Sequence, residues 1–353
     1  MIKEKNLELP LIQGGMGIGV SLGNLAGHVA KAGGMGVISA ANPGYGEADF
    51  WERPAEANRR ALEREIKKAK EIAGGRGLVA VNAMVATAEY QAAVETAISA
   101  GCDAIISGAG LPAALPGFRG ADKAALAPIV SSPKAARTIL RLWDKRFGRQ
   151  PDFLVLEGSR AGGHLGFRRE ELISGGAKSL EELLGEVLAE VSAFGERAGR
   201  AIPVFCGGGV FDGHDLARLT RAGAAGAQMA TRFIATEECD AARGYKEAIV
   251  RAKAGDAVIV SSPVGMPGRA LRSPLIERVE AGRKIPGGRC IRCLVPCQPG
   301  AAPYCISRAL IAAVRGDWRE GLFFCGDNVG RVDRIRPVAE LIREIMEEWR
   351  RDQ

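Results

Sequence analysis

The chain has 353 residues, of which 47% are hydrophobic and 25% are charged. This composition is ordinary for a globular enzyme, and the length allows a large buried core. The formal charge of +7 is spread along the sequence rather than gathered in one block, so no nucleic-acid partner is expected. No apolar run is long enough for a membrane span, and the amino terminus shows no signal peptide, so a cytoplasmic location with reduced thiols is expected.

Short β-rich runs, each followed by a helical stretch, recur along the first two thirds of the chain. The eight predicted strands are Pro10–Val20, Met35–Ala40, Leu78–Val85, Ala104–Gly108, Pro128–Ser132, Phe153–Glu157, Pro203–Cys206 and Gly226–Ile234. Glycines follow several of the helices, at Gly33, Gly101 and Gly223. A glycine at this place takes the left-handed conformation and turns the chain into the next strand.

Eight strand–helix units predict a TIM (β/α)8 barrel rather than an open doubly wound sheet. An open dinucleotide-binding sheet would begin with a Gly-x-Gly-x-x-Gly turn and have an acidic residue about twenty positions later. The glycines at 14–19 resemble such a turn, but no acidic residue follows at 33–38.

The pattern changes after Thr236. We predict an FMN-binding barrel over residues 1–239 and a substrate-covering elaboration with a cysteine cluster over residues 240–330. A C-terminal helix over residues 331–353 is expected to pack back on the barrel. Within these parts, helices are predicted at Cys239–Ala254 and Val338–Trp349, and a loop at Ser261–Arg272.

Two segments at the ends of the last predicted barrel strands favour phosphate binding. Gly207, Gly208 and Gly209 follow the seventh strand, and their backbone amides can converge on an anion without interference from Cβ atoms. The eighth strand brings a second set, Gln228, Met229, Ala230 and Thr231. The loops after strands seven and eight form the recurring phosphate site of this barrel. The alternative is that these glycines only tighten turns.

His164 follows the sixth predicted strand in a glycine-rich loop. The other two histidines, His28 and His214, fall in predicted helices, where surface or packing roles are expected. A histidine pKa near neutrality suits proton transfer, so His164 is the candidate catalytic residue. On its spacing alone, a structural role remains equally open.

Five motifs now point to a family. They are Leu11-Ile-Gln-Gly-Gly-Met-Gly, Val81-Asn82, Glu157-Gly-x₃-Gly-Gly-His-x-Gly, the glycine triplet at 207–209 and Met229-Ala-Thr-Arg-Phe. Together they resemble the nitronate monooxygenase family, which also contains the FMN-dependent enoyl-acyl-carrier-protein reductases. The resemblance covers about residues 8–275, including Gly268-Arg-Ala-Leu-Arg.

This resemblance implies a TIM barrel that binds FMN, with His164 as the catalytic histidine and Asn82 near the isoalloxazine. The phosphate would lie at Gly207–Gly209 and Met229–Thr231. The full set of candidate cofactor-binding residues is Gly14, Gly15, Met16, Asn82, Glu157, Gly162, Gly163, Gly207, Gly208, Gly209, Gln228, Met229, Ala230 and Thr231. The chain departs from the family at Gly14-Gly15-Met16, where the usual opening is Ala-Pro-Met.

Four cysteines lie close together outside the family pattern, at Cys290, Cys293, Cys297 and Cys305. Three interpretations stay open: a [4Fe–4S] cluster, a structural zinc, and thiols without a ligand. The C-x₂-C-x₃-C spacing is similar to the cluster motif of flavin barrel enzymes such as 2,4-dienoyl-CoA reductase. Cys325 is a candidate substitute ligand. Cys102 and Cys206 fall in predicted strands and are expected to pack in the core.

The leading function is FMN-dependent oxidation of nitronates or nitroalkane-like acids, with His164 as the base. The first alternative is an enoyl reductase in which NAD(P)H or an iron–sulfur centre reduces FMN. The second alternative is a non-catalytic flavin protein for redox sensing or electron transfer. The expected partners are a small-molecule substrate, O₂ or NAD(P)H, and, as one option for assembly, a second copy of the chain in a homodimer.

Overall fold

The computed structural model describes residues 2 and 7–353, without the side chains of residues 197 and 198. Residues 1 and 3–6, on which part of the expectation about a signal peptide rests, lie outside the described residues. The strands are β1 (Leu11–Gln13), β2 (Met35–Ser39), β3 (Leu78–Met84), β4 (Ala104–Gly108), β5 (Ala125–Val130), β6 (Leu154–Glu157), β7 (Gly163–His164), β8 (Val204–Gly207), β9 (Gly226–Met229), β10 (Ala257–Ser261) and β11 (Pro267–Leu271). The α-helices are α1 (Gly23–Lys31), α2 (Pro54–Ala73), α3 (Tyr90–Ser99), α4 (Pro133–Phe147), α5 (Arg169–Ser174), α6 (Leu180–Ala198), α7 (Gly213–Arg221), α8 (Thr231–Ile234), α9 (Arg243–Arg251), α10 (Pro274–Glu280), α11 (Ile306–Val314) and α12 (Val338–Arg351).

Strands β1 to β6, β8 and β9 form a closed barrel of parallel strands. The barrel closes where Leu11 of β1 lies opposite Ala227 of β9. Its interior is filled by apolar side chains, including Phe153 and Phe205, whose rings meet edge to face at 5.6 Å. The TIM barrel predicted from the sequence is therefore confirmed, and its carboxyl-terminal mouth is the place where such barrels carry their sites.

Each of the eight predicted strands corresponds to a barrel strand, but the first and the last were predicted too long. Strand β1 ends at Gln13 and strand β9 ends at Met229. The run after β9 forms the short helix α8, in which Phe233 and Ile234 are buried. Periodicity cannot separate a short buried strand from a short buried helix, which explains this error.

Glycines end several helices as expected. Gly33, Gly101 and Gly223 have φ angles of +97°, +85° and +102° and stand shortly after α1, α3 and α7. A side chain would strain this backbone conformation, so glycine allows the immediate turn into the next strand.

The predicted loop over Ser261–Arg272 was wrong in part, because strand β11 lies within it. Strand β11 pairs with β10 on one side and with β7 on the other, both antiparallel. Its proline, Pro267, is the first residue of the strand, a position that tolerates the missing N–H group. The helix expected at Cys239–Ala254 is also shorter and covers Arg243–Arg251.

A second hydrophobic cluster joins the elaboration to the barrel mouth. Val260, Tyr304 and Leu322 of the elaboration pack in one cluster with Ile18 and Phe50 from loops of the barrel. The elaboration therefore covers the mouth from one side, while the exact division of the chain into three parts stays a prediction.

Helix α12 packs against α7 and α1 and closes the outer ring of helices. The backbone N–H of Gly213 donates to Glu348 Oε2 at 2.8 Å, and Trp349 Nε1 donates to Thr220 Oγ1 at 3.1 Å. None of the helices in the described part of the chain is both long and apolar enough to cross a membrane.

Candidate active site

A cavity opens at the carboxyl-terminal mouth of the barrel. Its wall contains His164 and every candidate cofactor-binding residue named from the sequence: Gly14, Gly15, Met16, Asn82, Glu157, Gly162, Gly163, Gly207, Gly208, Gly209, Gln228, Met229, Ala230 and Thr231. The fold brings these residues together from six strands or the loops next to them, namely β1, β3, β6, β7, β8 and β9. Their binding of FMN stays a prediction.

One end of the cavity suits an anion. Gly208 and Gly209 have φ angles of +90° and +100°, and a Cβ atom on Gly208 would lie 2.6 Å from the carbonyl oxygen of Gly158. Thr231 accepts a hydrogen bond from the backbone N–H of Gly326 at 2.8 Å, which leaves its hydroxyl hydrogen able to donate to another oxygen. The glycine triplet and Thr231 therefore fit a phosphate, as a bound FMN requires.

Two further glycines keep the cavity wall free of side chains. A Cβ atom on Gly15 would collide with the side chain of Asn82, and one on Gly162 would collide with the backbone of Cys325. Only glycine allows the chain to pass so closely at these points. The sequence pattern predicted glycine at the cavity, but not the neighbours that make it necessary.

His164 lies at the cavity wall on strand β7, opposite Gly268 of β11. Its Nε2 atom is 2.8 Å from Ser262 Oγ, and its ring meets Phe324 edge to face at 5.2 Å. Burial lowers the pKa of His164 to about 4. The imidazole is therefore neutral at neutral pH, and the near-neutral pKa expected from the sequence is wrong for this structure.

Glu157 is the group in this cavity that titrates near neutrality. It stands at the end of β6, and burial raises its pKa to about 7 in spite of a backbone hydrogen bond from Gly166. The loss of hydration disfavours the carboxylate and outweighs that bond. The sequence named Glu157 as a cofactor-binding residue and gave no sign of this shift.

Arg269 fixes the loop that leads to His164. Its guanidinium donates to the carbonyl oxygens of Ser159 and Ala161, both at 2.7 Å, and the residue is buried. The family resemblance included Gly268-Arg269, so a signal for this residue was present in the sequence. Ser262 and Phe324 had none, because both lie far from His164 along the chain.

The predicted metal ligands lie outside this cavity. Cys290 is exposed, whereas Cys293, Cys297 and Cys305 are half-buried. Across residues 2 and 7–353, no group of three histidine, cysteine, aspartate or glutamate side chains is arranged to hold one metal ion. Cys325, the candidate substitute ligand, is buried in the wall of the main cavity instead. Cys102 and Cys206 are buried in the core, as expected.

A closed parallel barrel with a glycine-lined cavity and a half-buried histidine at its mouth is the arrangement of a TIM-barrel enzyme. The family model described as nitronate monooxygenase matches residues 1–348. The chain therefore belongs to the nitronate monooxygenase family, a family of oxidoreductases.

Curated relatives match smaller parts of the chain. A "(3aS,4S,5R,7aS)-5-hydroxy-7a-methyl-1-oxo-octahydro-1H-indene-4-carboxyl-CoA dehydrogenase" of Mycobacterium tuberculosis is 32% identical over 164 residues, which is 46% of this chain and 40% of that protein. A probable nitronate monooxygenase of Staphylococcus saprophyticus is 33% identical over 128 residues, 36% of this chain and 34% of that protein. The chain thus spans well under two thirds of the length of these relatives.

Solved structures match nearly the whole chain. FabK from Thermotoga maritima aligns with a TM-score of 0.73 and 26% identity over 98% of this chain and 94% of its own. A nitroalkane oxidase from Streptomyces ansochromogenes aligns with a TM-score of 0.73 and 21% identity over 98% and 96%. At that lower identity, the second match supports the fold alone.

Proposed function

We propose that this protein is an FMN-dependent oxidoreductase of the nitronate monooxygenase type, which oxidises nitronates or nitroalkane-like acids. The observation that carries the proposal is a single cavity in which an anion cradle, Gly207–Gly209 with Thr231, and a neutral His164 line the same space. Family membership over residues 1–348 supports the same class of reaction.

Two groups of residues at the barrel mouth fit two different parts of FMN. Gly207–Gly209 and Thr231 would hold its phosphate, and Gly14–Met16 with Asn82 would flank its ring. When bound, FMN would supply the acceptor for the electrons that leave the substrate.

His164 would act on the substrate as a base. A neutral imidazole has one ring nitrogen that can accept the α-proton of a nitroalkane-like acid. The contact with Ser262 and the edge-to-face contact with Phe324 fix the orientation of the ring. The lowered pKa of about 4 would keep the imidazole unprotonated at neutral pH.

A second candidate function is an FMN-dependent, NAD(P)H-linked enoyl reductase. The observation that favours it is the four-cysteine segment packed beside the mouth, a possible entry for electrons. In this case the same cavity would bind an activated double bond next to the flavin.

Substrate turnover separates the two candidates. The protein is purified, and its released cofactor is identified; we expect FMN without adenine. Oxygen consumption with nitronates is then compared with NADH oxidation in the presence of enoyl thioesters. Turnover of nitronates supports the first function. If only NADH-dependent turnover is observed, the protein is an enoyl reductase. Recovery of FAD would contradict a site that holds a single phosphate.

A further inference from the structure

The segment from Cys290 to Cys305, here called the cysteine loop, is anchored beside the main cavity. The backbone N–H of Ala88 donates to the carbonyl of Cys293 at 3.0 Å, and that of Val295 donates to the carbonyl of Ala86 at 2.9 Å. These bonds attach the cysteine loop to the turn after β3, the strand that brings Asn82 to the cavity. At its other end, Cys305 immediately precedes α11, whose Leu310 lines the same cavity.

The two ends of the cysteine loop approach each other. Before the cysteine loop, Gly287 passes so close to Cys305 that a Cβ atom there would lie 3.1 Å from the Cβ of Cys305. The chain therefore folds back and brings its first and last cysteines towards each other.

The spacing of the thiols argues against a single ion. Around one zinc, with bonds of ~2.3 Å, tetrahedral geometry would place the sulfurs about 3.8 Å apart. No such convergence is present among the described residues. In a four-iron cluster each cysteine binds a different iron, so the four sulfurs stand farther apart than they do around one ion.

One side-chain nitrogen beside the cysteine loop is buried without a hydrogen-bond partner among the described residues. Arg308 Nε is buried and makes no hydrogen bond with any described residue. Its guanidinium lies 4.2 Å from the centre of the Trp51 ring, and its Nη2 atom would be 3.1 Å from a Cβ on Gly288. An unpaired buried donor is costly. A cluster with four thiolate ligands is anionic and offers sulfur acceptors, so it would satisfy both the charge and the free N–H.

Two hydrogen bonds already reach the sulfurs. The backbone N–H of Arg292 donates to Cys290 Sγ at 3.4 Å, and Ser307 Oγ is 3.0 Å from Cys293 Sγ. Hydrogen bonds to ligand sulfurs are among the factors that set the potential of an iron–sulfur cluster.

We propose that Cys290, Cys293, Cys297 and Cys305 bind a [4Fe–4S] cluster next to the main cavity. The site is defined by the cysteine loop and α11, and it does not depend on which substrate the cavity accepts. The Arg308 Nε donor without a hydrogen-bond partner and the contact between Ser307 Oγ and Cys293 Sγ are the features that distinguish this site from a loop with four independent thiols.

Metal analysis under anaerobic conditions tests the site directly. The full chain is reconstituted with ferrous iron and sulfide and desalted, and iron, sulfide and zinc are measured per folded chain. We expect about four irons and four sulfides, together with an electron paramagnetic resonance signal after reduction. Cys293→Ala should lose most of the iron and the signal. The control Cys102→Ala, at a buried cysteine beyond the opposite end of the barrel, should keep both.

Thermal unfolding of each variant confirms that it is folded. If Cys293→Ala does not fold, Cys290→Ala replaces it, because the Cys290 side chain is exposed. One zinc with no iron, equal iron in the variant and the control, or a folded protein without metal would each overturn the proposal. Flavin is measured in the same samples, so a failure of the FMN assignment is visible separately.

Discussion

The barrel mouth carries two loops that use opposite chemistry. In the glycine-rich loop between β6 and β7, and in the triplet after β8, the backbone is the binding group and the absence of side chains is the requirement. In the cysteine loop, the side chains are the proposed ligands, and the backbone only has to turn. The first kind of site is disturbed when a side chain is added at a crowded glycine such as Gly162 or Gly208, whereas the second is disturbed when a thiol is removed.

The two loops are also held differently. The glycine loop is fixed at both ends by strands, and Arg269 clamps its middle through two hydrogen bonds of 2.7 Å. The cysteine loop lies outside the barrel and is attached to it by backbone bonds at Ala86 and Ala88. The glycine loop should therefore be preorganised for a ligand, and the cysteine loop should gain order when its centre is bound.

The largest loss of turnover without a loss of FMN is expected for His164→Ala. The variant should keep FMN, because the histidine is not one of the residues proposed to hold the phosphate, but turnover should fall by about 10²–10⁴-fold, as is typical for a lost acid–base group. The control is His214→Ala, since His214 lies on α7 in an ion pair with Asp352. Activity of His164→Ala within about threefold of the parent would remove this residue from the mechanism.

A smaller effect is expected in the cradle. In Gly208→Ala the new Cβ atom would approach the carbonyl of Gly158 and would require a strained φ of +90°. This backbone strain costs about 1–2 kcal/mol. When the strain opposes the FMN-bound state, the affinity for FMN should fall roughly tenfold. A titration followed by flavin fluorescence measures this affinity.

The matched control for this substitution is Gly148→Ala. Gly148 also has a positive φ, of +58°, but its Cβ would meet open space at the end of α4. Gly208→Ala should lose more stability than Gly148→Ala, because only its Cβ meets a backbone atom, and only Gly208→Ala should lose flavin affinity. Equal affinity in the two variants would move the phosphate site elsewhere.

The barrel could be predicted from the sequence because its strands and helices alternate along the chain and each is recognised from neighbouring residues. Each strand is a short apolar run, and glycines such as Gly33 and Gly223 mark the turns between helix and strand. The phosphate-binding segments and His164 followed from the same order, since strand ends meet at one mouth, whereas Asn82 came from the family resemblance. The contacts that hold His164 could not be predicted this way, because Ser262 and Phe324 reach it through a small sheet formed by distant segments. The pKa values of His164 and Glu157 depend on burial, which the sequence does not show.

A pH-dependent effect is expected for Glu157, and its sign follows from the raised pKa of about 7 against an ordinary value of 4.5. Between these two pH values the folded protein holds a proton that the unfolded chain has lost. The free energy of unfolding should therefore fall as the pH rises from about 5 to about 8, by on the order of 1–3 kcal/mol. In Glu157→Gln this part of the pH dependence should disappear. Denaturant unfolding of the parent and the variant at both pH values measures the free energy of unfolding.

The same titration should affect the binding of an anionic substrate. Above a pH of about 7 the Glu157 carboxylate adds a negative charge to a cavity that is proposed to bind a nitronate, so the KM of the parent should rise by a few fold. Glu157→Gln should keep a constant KM over this range, and the exposed control Glu71→Gln should behave like the parent. A KM that rises equally in Glu157→Gln would assign the titration to the substrate or to another group, because the amide cannot ionise.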